Sequence, residues 1–242
     1  MKVVAIIQAR MGSSRLPGKV LREVMDKPLL YYQLARVRKS NYLDEIIVAT
    51  TTLANDDCIV DLCMSQNIKV YRGSEQDVLT RYVEATKEAN ADIIVRLTAD
   101  CPLLDPVLID QLIEVFKREQ DVDYVSNVIN RTYPRGLDIE VFSQEALIKV
   151  NQWATSTSYR EHVTNYLLEH PEKFRLRNVS NPTDISFHRW TVDTIEDFQL
   201  IQHILIALYS GDPYFSFNDV LRLLDDHPEW YQINVDVKQK DW

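Results

Sequence analysis

The chain has 242 residues, 45% of them hydrophobic and 26% charged, with a formal net charge of −9. That is the composition of a globular chain with enough apolar material for a sizeable core. The acidic balance disfavours nonspecific nucleic-acid binding, and no apolar run approaches the roughly 20 residues of a membrane span.

The first predicted element is residues 3–7 (VVAII), whose unbroken apolar run reads as a strand buried on both faces. No charged stretch with an apolar segment and cleavage site precedes it, so no signal peptide is expected. Three cysteines in no metal-ligand spacing, and five histidines in no zinc arrangement, add the expectation of a reducing cytoplasm.

Residues 8–21 (QARMGSSRLPGKVL) follow the strand and combine two glycines, two serines, a proline and the cations Arg10, Arg15 and Lys19. Glycines admit a close backbone approach, serines donate hydrogen bonds and cations neutralise charge, so the loop suits phosphates. It is not the common P-loop. Gly12 and Gly18 enclose five residues, and Val20 stands where a metal-binding hydroxyl would be. The bland alternative is a merely flexible basic loop.

Further along, Pro28 opens a predicted helix over 28–39. Residues 45–50 (EIIVAT) predict a second buried strand, and Asn55 and Asp56 cap a helix that runs to about 66. A short strand at 69–71, a helix over 77–90, a buried strand at 92–98, a helix over 106–119 and a strand at 124–126 complete the alternation. Strand–helix alternation of this kind predicts an α/β fold, a doubly wound and mostly parallel sheet with helices on both faces. Ligands in such sheets bind beyond the carboxyl ends of the strands. The opening loop, Thr51 and Asp100 all fall at such ends.

From 127 the pattern changes, and residues 127–184 read as an α+β segment inserted into one single domain spanning 1–242. Its predicted elements are a turn-rich loop at 130–136 (NRTYPRG), a strand at 137–142, helices near 143–153 and 158–168, and a strand within 175–180. A short strand at 190–192 ending at Asp193, a helix over 195–209 and one over 218–226 close the chain.

Asp100, at the end of a buried strand, could hold Mg²⁺, which favours one or two carboxylates plus phosphate oxygens. It could equally cap the next turn. Asp193 carries the same two readings, and the pair together favours a metal. Gly73, Ser74 and Asp77 join a strand to a helix as a base-recognition loop or as simple caps. Arg135, Asp138, Glu140, Arg160 and His162 could bind an anionic acceptor or form a surface salt-bridge network. No nucleophile elbow appears, and no Cys stands beside a candidate base, which argues against covalent hydrolase chemistry.

IIQARMGSSRLPGKVL, DVLTRY, RLTADCPLLDP, YPRGLDIEVF, REHVT and RWTVDTIEDF together resemble the cytidylyltransferase family that includes spore-coat polysaccharide biosynthesis protein F. That family is similar to the CMP-KDO and CMP-acylneuraminate synthetases. The resemblance implies a Rossmann-like nucleotidyltransferase fold, a CTP donor, a Mg²⁺ cofactor and a homodimer formed through the inserted segment. By motif, Ala9, Arg10, Gly12, Ser13, Arg15 and Lys19 would hold the triphosphate, with Arg15, Lys19 and Asp100 in catalytic roles. Thr51, Gly73, Ser74 and Asp77 would line the cytosine and ribose pocket, and Asp100 and Asp193 would hold the metal. Trp190-Thr191 departs from the small residue and glycine that usually precede the second aspartate. The implied reaction transfers CMP to a sugar acid or related anionic precursor of a surface polysaccharide, with pyrophosphate leaving. Acceptors bearing a phosphate or phosphonate, or a partner role without turnover, are the alternatives.

Overall fold

The computed structural model of the protein describes residues 1–119 and 121–239. In chain order its elements are β1 (Val3–Gln8), β2 (Glu23–Val24), β3 (Lys27–Pro28), α1 (Leu29–Val37), β4 (Glu45–Thr51) and α2 (Asp57–Ser65). Next come β5 (Lys69–Gly73), α3 (Val78–Ala89), β6 (Ile93–Thr98), α4 (Pro106–Arg118), β7 (Tyr124–Ser126), β8 (Glu140–Ser143) and α5 (Gln144–Trp153). The chain ends with α6 (Thr157–Glu161), α7 (Asn165–Glu169), β9 (Leu176–Asn178), α8 (Ile195–Leu208), α9 (Phe217–Asp226) and α10 (Pro228–Tyr231).

Seven strands form one sheet in the order β5-β4-β1-β6-β8-β7-β9. β1 pairs in parallel with β4 and β6, and β4 with β5. β8 alone is reversed, antiparallel to both β6 and β7. The central strand β1 shows why its sequence has no polar interruption. Val3, Ala5 and Ile7 enter a core shared with α1, α4, α8 and α9, while Val4 and Ile6 enter a second core shared with α3 and α5. Both faces are covered, as an uninterrupted apolar strand requires. The parallel strands bring the ends of β1, β4 and β6 to one edge, which is where ligands bind in such sheets. The doubly wound, mostly parallel fold is therefore present as expected.

The segment 127–184 supplies β8 and β9 to the same sheet, with β8 paired directly to β6. Three elements differ from the sequence expectation. The strand expected over 137–142 begins only at Glu140, because the Asn127 side chain takes the place of a neighbouring strand. Its amide donates to the Leu137 carbonyl at 2.7 Å, and its oxygen accepts from the Ile139 N–H at 2.9 Å. The helix expected over 158–168 is two short helices, α6 and α7. Residues 190–192 form no strand. They are held by Val192, whose N–H donates to the Asp100 carbonyl at 2.9 Å, and by a bridge between Arg135 and Arg189.

Candidate active site

The loop after β1 is folded around the Met11 carbonyl, which accepts from the Ser13 N–H at 2.9 Å and the Gly18 N–H at 3.0 Å. Gly18 has φ +67, in the left-handed region where glycine is favoured, and from it the chain enters a single 3₁₀ turn over Lys19–Leu21. Leu16 and Val20 are buried and pin the loop to the core. Val20 therefore serves packing where a P-loop would carry a hydroxyl. Asp56 fixes the other end of the loop: its carboxylate accepts the Met11 N–H at 2.7 Å and the Thr51 hydroxyl. The expected cap on α2 is thus corrected, since this carboxylate makes no capping bond to that helix.

The turn aims Lys19 across the sheet edge. Its ammonium lies 2.7 Å from Asp100 Oδ2 and 2.8 Å from Asp193 Oδ1. Asp100 comes from the segment after β6. Asp193 is brought beside it by the Val192–Asp100 backbone bond. Arg15 reaches Asp193 Oδ2 at 2.9 Å, and Arg189 reaches the same oxygen at 2.6 Å. Burial pushes the Asp100 carboxyl up, but the Lys19 charge and hydrogen bond outweigh it and bring the pKa down to about 2. For Lys19, burial opposes the charged form, and the two aspartates outweigh that and raise its pKa.

A cavity of about 660 Å³ opens over this cluster. Its lining contains Ala9, Arg10, Gly12, Ser13, Arg15, Lys19, Asp100, Asp193, Arg135, Asp138, Glu140 and His162. Thus the loop residues and most of the acceptor candidates are brought together. Thr51, Gly73, Ser74, Asp77 and Arg160 are not in that lining. Thr51 is fully buried and anchors Asp56. Ser74 and Asp77 organise the start of α3, with Ser74 Oγ accepting the Asp77 N–H and Asp77 capping through the Thr80 N–H at 2.9 Å.

Two acceptor candidates are engaged by partners within the chain. Arg160 is spent on Asp77, donating from Nε at 3.0 Å and from Nη2 at 2.8 Å, so its fork already holds a carboxylate of the chain itself. Glu140 is buried, pairs with Arg96 on the neighbouring strand and accepts the Tyr124 hydroxyl at 2.5 Å. It is a counter-ion between strands. Asp138 takes a bidentate bond from Arg131, at 2.6 and 2.8 Å. Arg135 differs: among the described residues its guanidinium makes no ion pair. Burial lowers its pKa, and the nearby charges of Arg131 and Arg189 lower it further, with Asp138 opposing.

The sequence reading passed over Arg189, which is buried and organises the Asp193 end of the site. It donates to Asp197 at 2.9 Å as well as to Asp193, and its third nitrogen bonds Gln239 at 2.6 Å. Its spacing of four before Asp193 and eight before Asp197 was the available signal. Gln239 also lines the cavity, and no local pattern marks it.

A cationic glycine-containing loop facing Asp100, just after β6, and Asp193, just before α8, on this sheet order is the arrangement of a nucleotidyltransferase. The chain belongs to the cytidylyltransferase family, whose model matches residues 4–241. It is 36% identical to the spore coat polysaccharide biosynthesis protein SpsF of Bacillus subtilis, over 94% of this chain and 95% of that protein. The solved structure of a cytidylyltransferase from Leptospira borgpetersenii superposes with a TM-score of 0.93 at 35% identity, covering 100% of this chain and 99% of that one. A 3-deoxy-manno-octulosonate cytidylyltransferase of Geobacter metallireducens is 33% identical over 47% of this chain and 44% of its own length. No helix among the described residues is long and apolar enough to cross a membrane.

Proposed function

We propose that the protein transfers CMP from CTP to a sugar acid or related anionic precursor of a surface polysaccharide, releasing pyrophosphate. The observation that carries this reading is the convergence of Lys19 on Asp100 and Asp193 beneath the cavity, in a chain of the cytidylyltransferase family. In this reading the backbone of the 8–21 loop cradles the triphosphate. Arg15 and Lys19 donate to its oxygens and stabilise the charge that builds on the departing pyrophosphate. The acceptor oxygen attacks the α-phosphorus in line, forming one P–O bond as the bond to pyrophosphate breaks. No protein nucleophile is required.

Asp100 and Asp193 are the residues that would hold Mg²⁺. The donor set fits that ion: two hard carboxylates whose oxygens converge on one point, with Asp100 kept ionised. Among the described residues no group of three or more His, Cys, Asp or Glu side chains gathers to hold a metal, so any further ligands would have to be phosphate oxygens and water. When bound, the ion would neutralise phosphate charge and lower the pKa of the acceptor hydroxyl. Arg135, which makes no ion pair among the described residues and is flanked by other arginines, is the residue suited to the anionic group of the acceptor.

The test is a matrix of nucleoside triphosphates against sugar acids, sugar phosphates and phosphonates, read as pyrophosphate release with Mg²⁺. Release with CTP and a sugar acid is expected. Calorimetric CTP binding with no release for any acceptor would overturn the reading in favour of a nucleotide-binding role without turnover.

A further inference from the structure

The cations assigned to the triphosphate and the carboxylates assigned to the metal are bonded to one another. Lys19 holds one oxygen from each aspartate, and Arg15 holds the second oxygen of Asp193. Any cation entering between Asp100 and Asp193 competes with the Lys19 ammonium for the same two oxygens. Any phosphate entering the loop competes with the same carboxylates for Lys19 and Arg15.

We infer that these ion pairs make the divalent cation and the nucleotide bind as a coupled pair, each weak alone and both strong together. This rests on the metal and triphosphate assignments of the preceding section. A cation alone must displace Lys19 and leave an ammonium in a partly buried site without an anion. A triphosphate alone must draw Lys19 and Arg15 away and leave two carboxylates facing each other. Unpaired charge at such a site is costly, whereas exchange of partners leaves every charge matched. With both ligands present, Lys19 and Arg15 pass to phosphate oxygens, and Asp100 Oδ2 and Asp193 Oδ1 pass to the cation.

Arg189 limits the exchange to those groups. It is 7% exposed and bound to Asp197 as well as to Asp193 Oδ2. It does not line the cavity, and its Nε and Nη2 are held by Asp197. Asp193 therefore keeps one permanent counter-ion while its other oxygen is exchanged. The order of events is set by the same contacts: a cation that arrives with the nucleotide meets carboxylates at the moment their lysine leaves.

The experiment measures Mn²⁺ binding by the loss of its free-ion electron paramagnetic resonance signal, with no nucleotide present. Lys19→Met removes the competitor, so it should bind Mn²⁺ about tenfold or more tighter than the wild type, the scale set by charge-assisted hydrogen bonds. Adding Asp100→Asn to Lys19→Met should abolish that gain. Equal Mn²⁺ affinity in wild type and Lys19→Met, with binding lost in both on Asp100→Asn, overturns the coupling and leaves the metal assignment standing. Mn²⁺ binding that survives both Asp100→Asn and Asp193→Asn overturns the metal assignment and the coupling with it. A second measurement needs no variant. The thermal midpoint of the wild type should rise much more with CTP plus Mn²⁺ than with CTP in EDTA or Mn²⁺ alone. A full rise with CTP in EDTA overturns the inference.

Discussion

The two ends of the cavity treat charge differently. At the phosphate-loop end each cation already faces a carboxylate: Lys19 faces Asp100 and Asp193, Arg15 faces Asp193, and Arg10 lies 3.6 Å from Glu161. At the other end Arg131 is satisfied by Asp138, while Arg135 has no carboxylate partner among the described residues. An anion reaching the loop must displace carboxylates, and it does so cheaply only when a cation takes them. An anion reaching Arg135 displaces no carboxylate paired with it among the described residues. The loop end therefore suits a highly charged ligand that travels with a metal, and the Arg135 end suits a single anionic group.

The largest expected effect breaks the balanced end. Lys19→Met should lower kcat/KM for pyrophosphate release by about 10²- to 10³-fold, or roughly 3–4 kcal/mol of barrier, as for loss of one preorganised charge-stabilising donor. Steady-state rates with the acceptor found in the screen would check it, and a loss of less than threefold would contradict the assignment.

Next comes a change that breaks the other end without touching a charge. Gly136 has φ +104, and a β-carbon there would stand 2.5 Å from the Trp190 carbonyl carbon and 2.6 Å from the Thr191 nitrogen. The two backbones meet where Arg135 and Arg189 bridge. Gly136→Ala should cost about 3 kcal/mol of stability, through strain and a backbone clash that no side-chain rotation relieves. Urea unfolding measures it, and a change under about 1 kcal/mol would show that the contact relaxes freely.

A milder substitution sharpens the contrast between the ends. Arg135→Gln should raise the acceptor KM about 10- to 100-fold, the range for losing a hydrogen bond to a charged group. The KM for CTP should stay within about twofold, because no loop contact is altered. Equal effects on both substrates would mean that Arg135 serves the nucleotide.

How much of this was legible in the sequence depends on whether the signal was local. The strands at 3–7, 45–50 and 92–98 were readable because burial on both faces leaves an unbroken apolar run, and the phosphate loop because its composition is unusual. Arg36 shows the opposite case. In the sequence it is one more cation on an amphipathic helix. In the structure it is fully buried and donates to the carbonyls of Leu103, Leu104, Pro213 and Phe215, tying α1 to two distant loops. Its burial lowers its pKa to about 10. Nothing within a few residues of Arg36 announces those partners. The late start of β8 was hidden for the same reason, since it depends on one asparagine thirteen residues upstream of Glu140.

Arg135 and Arg160 illustrate the limit most directly, because the sequence supports the same role for both. Each is an arginine in a polar cluster of the 127–184 segment, and each could fork onto an anion. Only the tertiary fold separates them: Arg160 meets Asp77, whose carboxyl is held below the usual range by its bonds to Arg160 and Thr80 despite partial burial. Arg160→Met should therefore weaken the start of α3 and cost about 1 kcal/mol of stability, a modest figure because the pair is partly exposed. It should leave the acceptor KM within about twofold of the wild type. A tenfold rise in acceptor KM with unchanged stability would return Arg160 to the acceptor site and remove the distinction between the two arginines.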